Sequence, residues 1–189
     1  MQRGNLMSFS ITLYLIGFSG TGKYTIAKEL SKFEYKIVDN HLINNPIFSL
    51  LDLDGVTPIP EKAWVPVRQI RKIILEFISQ DQKSNYIFTN ELFEAENDRQ
   101  VYSQVQETAE KRNSLFIPIK LTLSPEERKR RIINPDRLGR FKSTSLTEIH
   151  MKKGLIKINH PHVLEIDVTN LSPIQAANKI LNFVESIKQ

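Results

Sequence analysis

The residues of this 189-residue chain best suited to chemistry stand together: Gly17, Phe18, Ser19, Gly20, Thr21, Gly22 and Lys23. A GxxxxGK spacing lets the backbone curl with its N–H groups pointing inward. It sets the positive end of the following helix behind them and lets the lysine reach the terminal phosphates of a nucleotide. The flanks agree, because Ile11 to Ile16 is an apolar run of strand type and a helical pattern starts at Tyr24. Gly17, Ser19, Gly20, Thr21, Gly22, Lys23, Tyr24 and Thr25 are accordingly the candidate nucleotide-binding residues, with ATP as the expected nucleotide. One position departs from the pattern. The residue after the lysine ordinarily carries a hydroxyl for Mg²⁺, and Tyr24 holds its hydroxyl too far from the backbone to sit in that place. Thr25 follows and either replaces the missing ligand or caps and packs the first turn. Tyr24 itself either packs beside the nucleotide or marks a site with weak or absent turnover.

Phosphoryl transfer needs a cradle for the nucleotide, cations for the moving charge and a carboxylate to orient the acceptor hydroxyl. Asp39 closes a short apolar run and reads as that carboxylate, as an indirect Mg²⁺ ligand, or as a helix cap. Glu91 ends another strand and either holds metal-bound water or is a surface glutamate. His41 contacts substrate or is simply exposed. Arg68 and Arg71 share a helix face and suit an anionic substrate or salt bridges. Arg137 and Arg140 either close on the β- and γ-phosphates or belong to a solvated basic loop. The run Arg128-Lys129-Arg130-Arg131 carries much of the net charge of +5. It leaves open a weaker alternative, a polynucleotide-end kinase or nucleic-acid binder.

These residues need a scaffold, and the pattern supplies one. Ile26, Ala27, Leu30 and Phe33 recur at helical spacing, and Tyr35 to Asp39 reads as a second strand. Asn40 to Glu61, with Asn44-Asn45-Pro46, Asp54-Gly55, Pro58 and Pro60, reads as a loop-rich insertion on the substrate side rather than a continuous helix. A helix resumes near Trp64 with Val67, Ile70, Ile74 and Phe77 on one face. Asn85 to Asn90 is the third strand, Val101, Val105, Ala109 and Arg112 mark the next helix, and Leu115 to Leu123 is the fourth strand. Ser124-Pro125-Glu126-Glu127 forms a capping box that opens a short basic helix, and Asn134-Pro135-Asp136 stops it. Val163 to Val168 is the fifth strand. Ser172-Pro173-Ile174-Gln175 caps a last helix whose Ala176, Ile180, Val184 and Ile187 face inward. Buried strands alternating with helices predict an open parallel α/β sheet covered on both sides, with ligands at the carboxyl ends of the strands.

Composition sets the outer limits. A chain of this length with 40% apolar and 25% charged residues suits a single domain, taken as residues 1–189. The absence of cysteine excludes disulfides, thiolate nucleophiles and cysteine zinc sites. The polar start, MQRGNLMS, lacks the apolar core of a secretory signal, and no apolar run approaches a membrane span. A cytoplasmic protein with no membrane partner is the expectation, starting at Met1 or Met7.

On GFSGTGK, the strand-end VDNH and the segment NPDRLGRFK, the chain resembles the small P-loop kinases of the nucleoside-monophosphate, shikimate and gluconate kinase kind, over nearly its whole length. Within them it is similar to ATPase-like proteins carrying DNHL after the second strand. The resemblance implies a three-layer α/β/α fold with a five-stranded parallel sheet in the order 2-3-1-4-5. It also implies a lid over about residues 124–145 bearing Arg137 and Arg140, and a base-side loop at Val168 to Leu171. An ATP- and Mg²⁺-dependent phosphotransferase acting on a small-molecule hydroxyl or phosphate follows, with Lys23, Asp39, Arg137 and Arg140 as catalytic residues. Asp39, His41, Arg71 and Glu91 are then substrate-side residues, and Thr25 and Asp39 metal-side ones. A nucleotide-binding regulator with little turnover is the alternative. Where shikimate kinases carry a DxD pair and two glycines, Asp39-Asn40-His41 keeps the first carboxylate alone and Thr89-Asn90 replaces the glycines.

Overall fold

The computed structural model describes residues 9–52, 57–133 and 154–188. Its centre is a parallel five-stranded sheet of β1 (Ile11–Gly17), β2 (Tyr35–Asp39), β3 (Asn85–Asn90), β4 (Leu115–Thr122) and β5 (Leu164–Asp167). The order is β2-β3-β1-β4-β5, as the resemblance implies. β1 is flanked on both sides by neighbours, and all seven of its residues are buried. Its alternating side chains feed two cores. Leu13 and Leu15 join Ile117, Ile119 and Ile180 on the face covered by α1 (Lys23–Leu30) and α6 (Pro173–Lys188). Tyr14 and Ile16 join Phe88, Leu75 and Val105 on the face covered by α3 (Glu61–Ser79) and α4 (Glu96–Lys111). Period-two side chains on a sheet buried on both faces give this two-sided division.

Three helical segments differ from their sequence reading. Asn40 to Glu61 was expected to be loop-rich, yet Asn40–Phe48 forms α2, capped by Asp39, whose Oδ1 accepts from His41 N–H at 2.9 Å. Pro46 sits inside it, where its missing N–H removes one intrahelical bond. Packing compensates: Ile43 and Phe48 are buried against Val67 of α3, and the Phe48 ring meets Trp64 edge-on at 5.5 Å. Burial of each such side chain contributes about 2 kcal/mol. The second difference is the rotation of α3. Its buried stripe is Ala63, Val67, Arg71, Leu75 and Ile78, so Phe77 is exposed. An apolar-pattern reading had no reason to put an arginine inward. Phe33, assigned to the inner face of α1, is likewise exposed at the end of a 3₁₀ turn, Ser31–Phe33.

The caps follow the sequence with one exchange. Ser172 and Gln175 bond reciprocally, Ser172 N–H to Gln175 Oε1 at 2.9 Å and Gln175 N–H to Ser172 Oγ at 3.2 Å. At α5 (Pro125–Ile132), Ser124 Oγ accepts from Glu127 N–H, but Ser124 N–H goes to Thr169 Oγ1 at 2.8 Å. Glu127 is thereby released to take Arg130 and Arg131. The hydrogen bonds from these two arginines hold its carboxyl down at about 2. Among the described residues no helix is long and apolar enough to cross a membrane.

Candidate functional site

The carboxyl ends of β2, β3 and β1 lie along one edge of the sheet, and the loop Gly17–Lys23 leaves β1, the central strand of the five. Gly20 and Gly22 take φ of 97° and 80°, a left-handed backbone that glycine adopts without steric cost. A side chain on Gly17 would strike the Leu121 carbonyl and Thr21 Oγ1, each 2.8 Å from its Cβ. The loop closes on itself through Thr21 N–H and Thr21 Oγ1–H, both donated to the Phe18 carbonyl. Lys23 Nζ donates to the Gly17 and Phe18 carbonyls at 2.7 and 3.0 Å. Among the described residues, neither the Gly20 nor the Gly22 N–H meets a backbone acceptor. Left-handed glycines, donor groups turned out of the ladder and a helix start together form a cradle that fits a polyphosphate.

The hydroxyls beside the lysine are less suited to a cation. Tyr24 is half-buried with its ring 5.8 Å from Lys28 Nζ, one turn further along α1, and Thr25 is exposed. Divalent cations of this kind take hard oxygen donors, and Asp39 supplies the buried carboxylate on this edge. Asp39 pairs in register with Thr89, and Thr89 with Leu15, so it stands two strands from β1. That is about 10 Å in the plane of the sheet.

Asp39 is followed by a buried polar chain that sequence reading did not assemble. Tyr14 O–H donates to Asn90 Oδ1 at 3.0 Å, and Asn90 Nδ2 donates to Asn40 Oδ1 at 2.8 Å. Arg71 Nη2 donates to that same Asn40 oxygen at 3.3 Å. Burial pushes the Tyr14 phenol up and holds it neutral, and burial also lowers the Arg71 pKa. Asp98, at the start of α4, acts on both electrostatically and accepts from Phe93 N–H at 2.7 Å. Arg71 is therefore tied to Asn40, the residue after Asp39, whereas Arg68 is exposed one turn earlier in α3. His41 turns along α2, with Nδ1 3.4 Å from Asn45 Oδ1.

Glu91 was read as a holder of metal-bound water or a surface residue. Both of its oxygens instead engage Ser19, Oε1 accepting from the N–H at 2.8 Å and Oε2 from the hydroxyl at 2.9 Å. The basic run is divided, with Lys129 and Arg130 exposed. Arg128 is buried over the Phe18 ring, and Arg130 and Arg131 both take Glu127. Arg131 also donates Nη2 to the Val168 and Thr169 carbonyls just after β5. Its Nη1 lies 4.0 Å from where a Cβ on Gly22 would be. A cation thus spans the loop mouth and the segment after β5, a placement that a run of like charges in sequence does not reveal. Arg137 and Arg140 lie outside the described residues.

No family model matches the chain, and no curated protein matches it in sequence. Solved structures do match. A sugar kinase from Janibacter sp. HTCC2649 is 18% identical with a TM-score of 0.61, covering 93% of this chain and 95% of that one. A gluconokinase from Sinorhizobium meliloti 1021 is 14% identical with a TM-score of 0.63, covering 95% and 94%. The APS kinase of Mycobacterium tuberculosis, solved with AMPPNP and APS, is 11% identical with a TM-score of 0.61, covering 94% and 98%. The chain has the fold of these small-molecule kinases. At such identities the likeness speaks for architecture, and the chemistry has to be argued from the site.

Proposed function

We propose that this protein is an ATP- and Mg²⁺-dependent kinase that phosphorylates a small anionic acceptor. The observation that carries the reading is Arg71, 9% exposed, whose one hydrogen bond among the described residues is to an amide oxygen at 3.3 Å. A buried guanidinium ordinarily has a carboxylate or several carbonyls around it. Asp98 acts on it electrostatically, and an acceptor carboxylate or phosphate would complete its remaining N–H groups. Kinase-fold neighbours support the same reaction class by analogy.

In this reading Lys23 and the loop amides hold the nucleotide phosphates, while Arg137 and Arg140 neutralise the γ-phosphoryl as it moves. Mg²⁺, when bound, offsets charge on the phosphates, with Asp39 as the residue that would hold it or its waters. Asp39 orients the acceptor hydroxyl. The acceptor oxygen forms a bond to the γ-phosphorus, the bond from that phosphorus to the β–γ bridging oxygen breaks, ADP leaves, and the hydroxyl proton passes to Asp39. His41 lines the acceptor side.

The test is a titration of the purified protein with AMPPNP, with and without Mg²⁺, followed by an ADP-release screen of phosphorylated and carboxylated acceptors. Wild type should bind more tightly with Mg²⁺ and turn over an anionic acceptor. Lys23→Ala should lose about 100-fold in turnover while remaining folded. Undiminished activity in that variant would remove the assignment. A second reading has its own observation, the Tyr24 ring turned along α1: a nucleotide-binding regulator with weak turnover. AMPPNP binding without ADP release across the whole panel, with turnover gained in Tyr24→Ser, would favour it.

A further inference from the structure

We infer that Glu91 and Arg128 act together as a clamp that sets the phosphate loop in its anion-binding curve, with Ser19 as the residue gripped. The inference rests on the nucleotide reading above. Ser19 is held at both ends of its own backbone by the two members of one ion pair. Glu91 takes the N–H at 2.8 Å and the hydroxyl at 2.9 Å. Arg128 donates Nε to the Ser19 carbonyl at 3.3 Å, and its guanidinium lies 4.1 Å from the centre of the preceding Phe18 ring. Glu91 Oε1 and Arg128 Nη2 are 3.6 Å apart. One partner follows β3 and the other stands on α5, so the loop's curvature depends on residues 72 and 109 positions away from Ser19.

The pairing answers an electrostatic problem. A carboxylate against a loop built for polyphosphate would repel its ligand. Arg128, itself 8% exposed, offsets that charge in place. What remains is a neutral grip that removes the freedom of Ser19 before any nucleotide arrives, which lowers the ordering cost of binding. Glu91 and Arg128 are in this sense positioning residues and not catalytic ones.

Wild type, Glu91→Ala and Glu91→Gln are titrated with AMPPNP and, separately, with inorganic tripolyphosphate, after thermal unfolding has shown each to be folded. Gln keeps an acceptor for Ser19 N–H and Ala does not. Glu91→Ala should bind both probes about tenfold more weakly, although it removes a negative charge, and Glu91→Gln should recover most of that loss. Tighter binding by both variants would mean simple repulsion and would overturn the clamp. So would unchanged binding, or a loss seen with AMPPNP and not with tripolyphosphate, since the clamp acts only on the phosphate cradle. Should Glu91→Ala fail to fold, Arg128→Met decides. It leaves the Glu91 charge uncompensated, so both probes should weaken and adding Glu91→Gln in the same chain should restore them. Absence of that rescue overturns the inference. Wild type binding neither probe would overturn the nucleotide reading and the clamp with it, whereas wild type binding with variants to match would sink the clamp alone.

Discussion

Two buried arginines at opposite ends of the same sheet are treated in opposite ways. Arg112, 1% exposed, lies at the amino ends of the strands. Its Nε donates to the Asp81 carbonyl at 2.6 Å, Nη2 to the Ser84 carbonyl, and Nη1 to Thr12 Oγ1 at 3.3 Å. The Tyr86 ring lies 4.6 Å from its guanidinium carbon. Arg71 lies at the carboxyl ends with a single long bond to Asn40. Burial lowers the pKa of both, so desolvation does not tell them apart. Partners do. A buried cation whose hydrogen bonds are taken up by the chain ties the scaffold together, and one left half-satisfied is suited to a ligand.

The contrast can be broken at either end. Arg112→Met should have the largest effect on the fold, because it strands the Asp81 and Ser84 carbonyls without their donor. A loss of about 3 kcal/mol is expected, seen as a fall in Tm of about 6–12 °C for a domain this size. A change below about 1 kcal/mol in urea unfolding would show that water replaces the guanidinium and that the distinction fails. Arg71→Met should do the reverse. Stability should stay within about 1 kcal/mol of wild type, since one long bond is lost and an expensive desolvated charge is relieved. In the same variant kcat/KM for the anionic acceptor found in the ADP-release screen should fall about 100-fold, with the affinity for AMPPNP unchanged. Equal loss for neutral and anionic acceptors would assign Arg71 to the scaffold as well.

The smallest effect belongs to the two arginines of α5 that share one carboxylate. Glu127 holds Arg130 and Arg131 at 2.7 and 2.6 Å, and its folded pKa is depressed to about 2. A depressed carboxylate contributes stability that is fully present above its unfolded pKa. That contribution is lost as pH falls from the ordinary glutamate range through about 2. Wild type and Glu127→Gln should therefore differ slightly in urea midpoint at neutral pH and converge near pH 2, solvent around the exposed Arg130 keeping the difference small. A gap that widens as pH falls would contradict the pairing.

Much of the layout could be read from the residues in order, because it depends on near neighbours. GFSGTGK after an apolar run, the period-two strands and Ser172 with Gln175 each encode a local hydrogen-bond or packing requirement. The misreadings share a different cause. Asn40–Phe48 looked like loop because Asn and Pro are poor helix interiors, but burial of Ile43 and Phe48 on α3 outweighs that propensity. α3 was turned by one position because the reading assumed that an arginine faces water.

The candidate site shows the same division. Lys23, Asp39 and Arg71 could be named from type and spacing alone, and so could Glu91, though its binding to Ser19 could not. The Tyr14–Asn90–Asn40–Arg71 chain joins residues from four separate segments, and Arg131 reaches the loop mouth from α5. By itself the sequence determined the glycine-rich turn between β1 and α1, the alternation of strand and helix and the strand-end residues, since backbone sterics and hydrophobic period act within a few residues. Only the tertiary structure decided which charges neutralise one another and which stay half-satisfied. Coulomb and hydrogen-bond energies depend on separation and burial, and both are set by how distant segments pack.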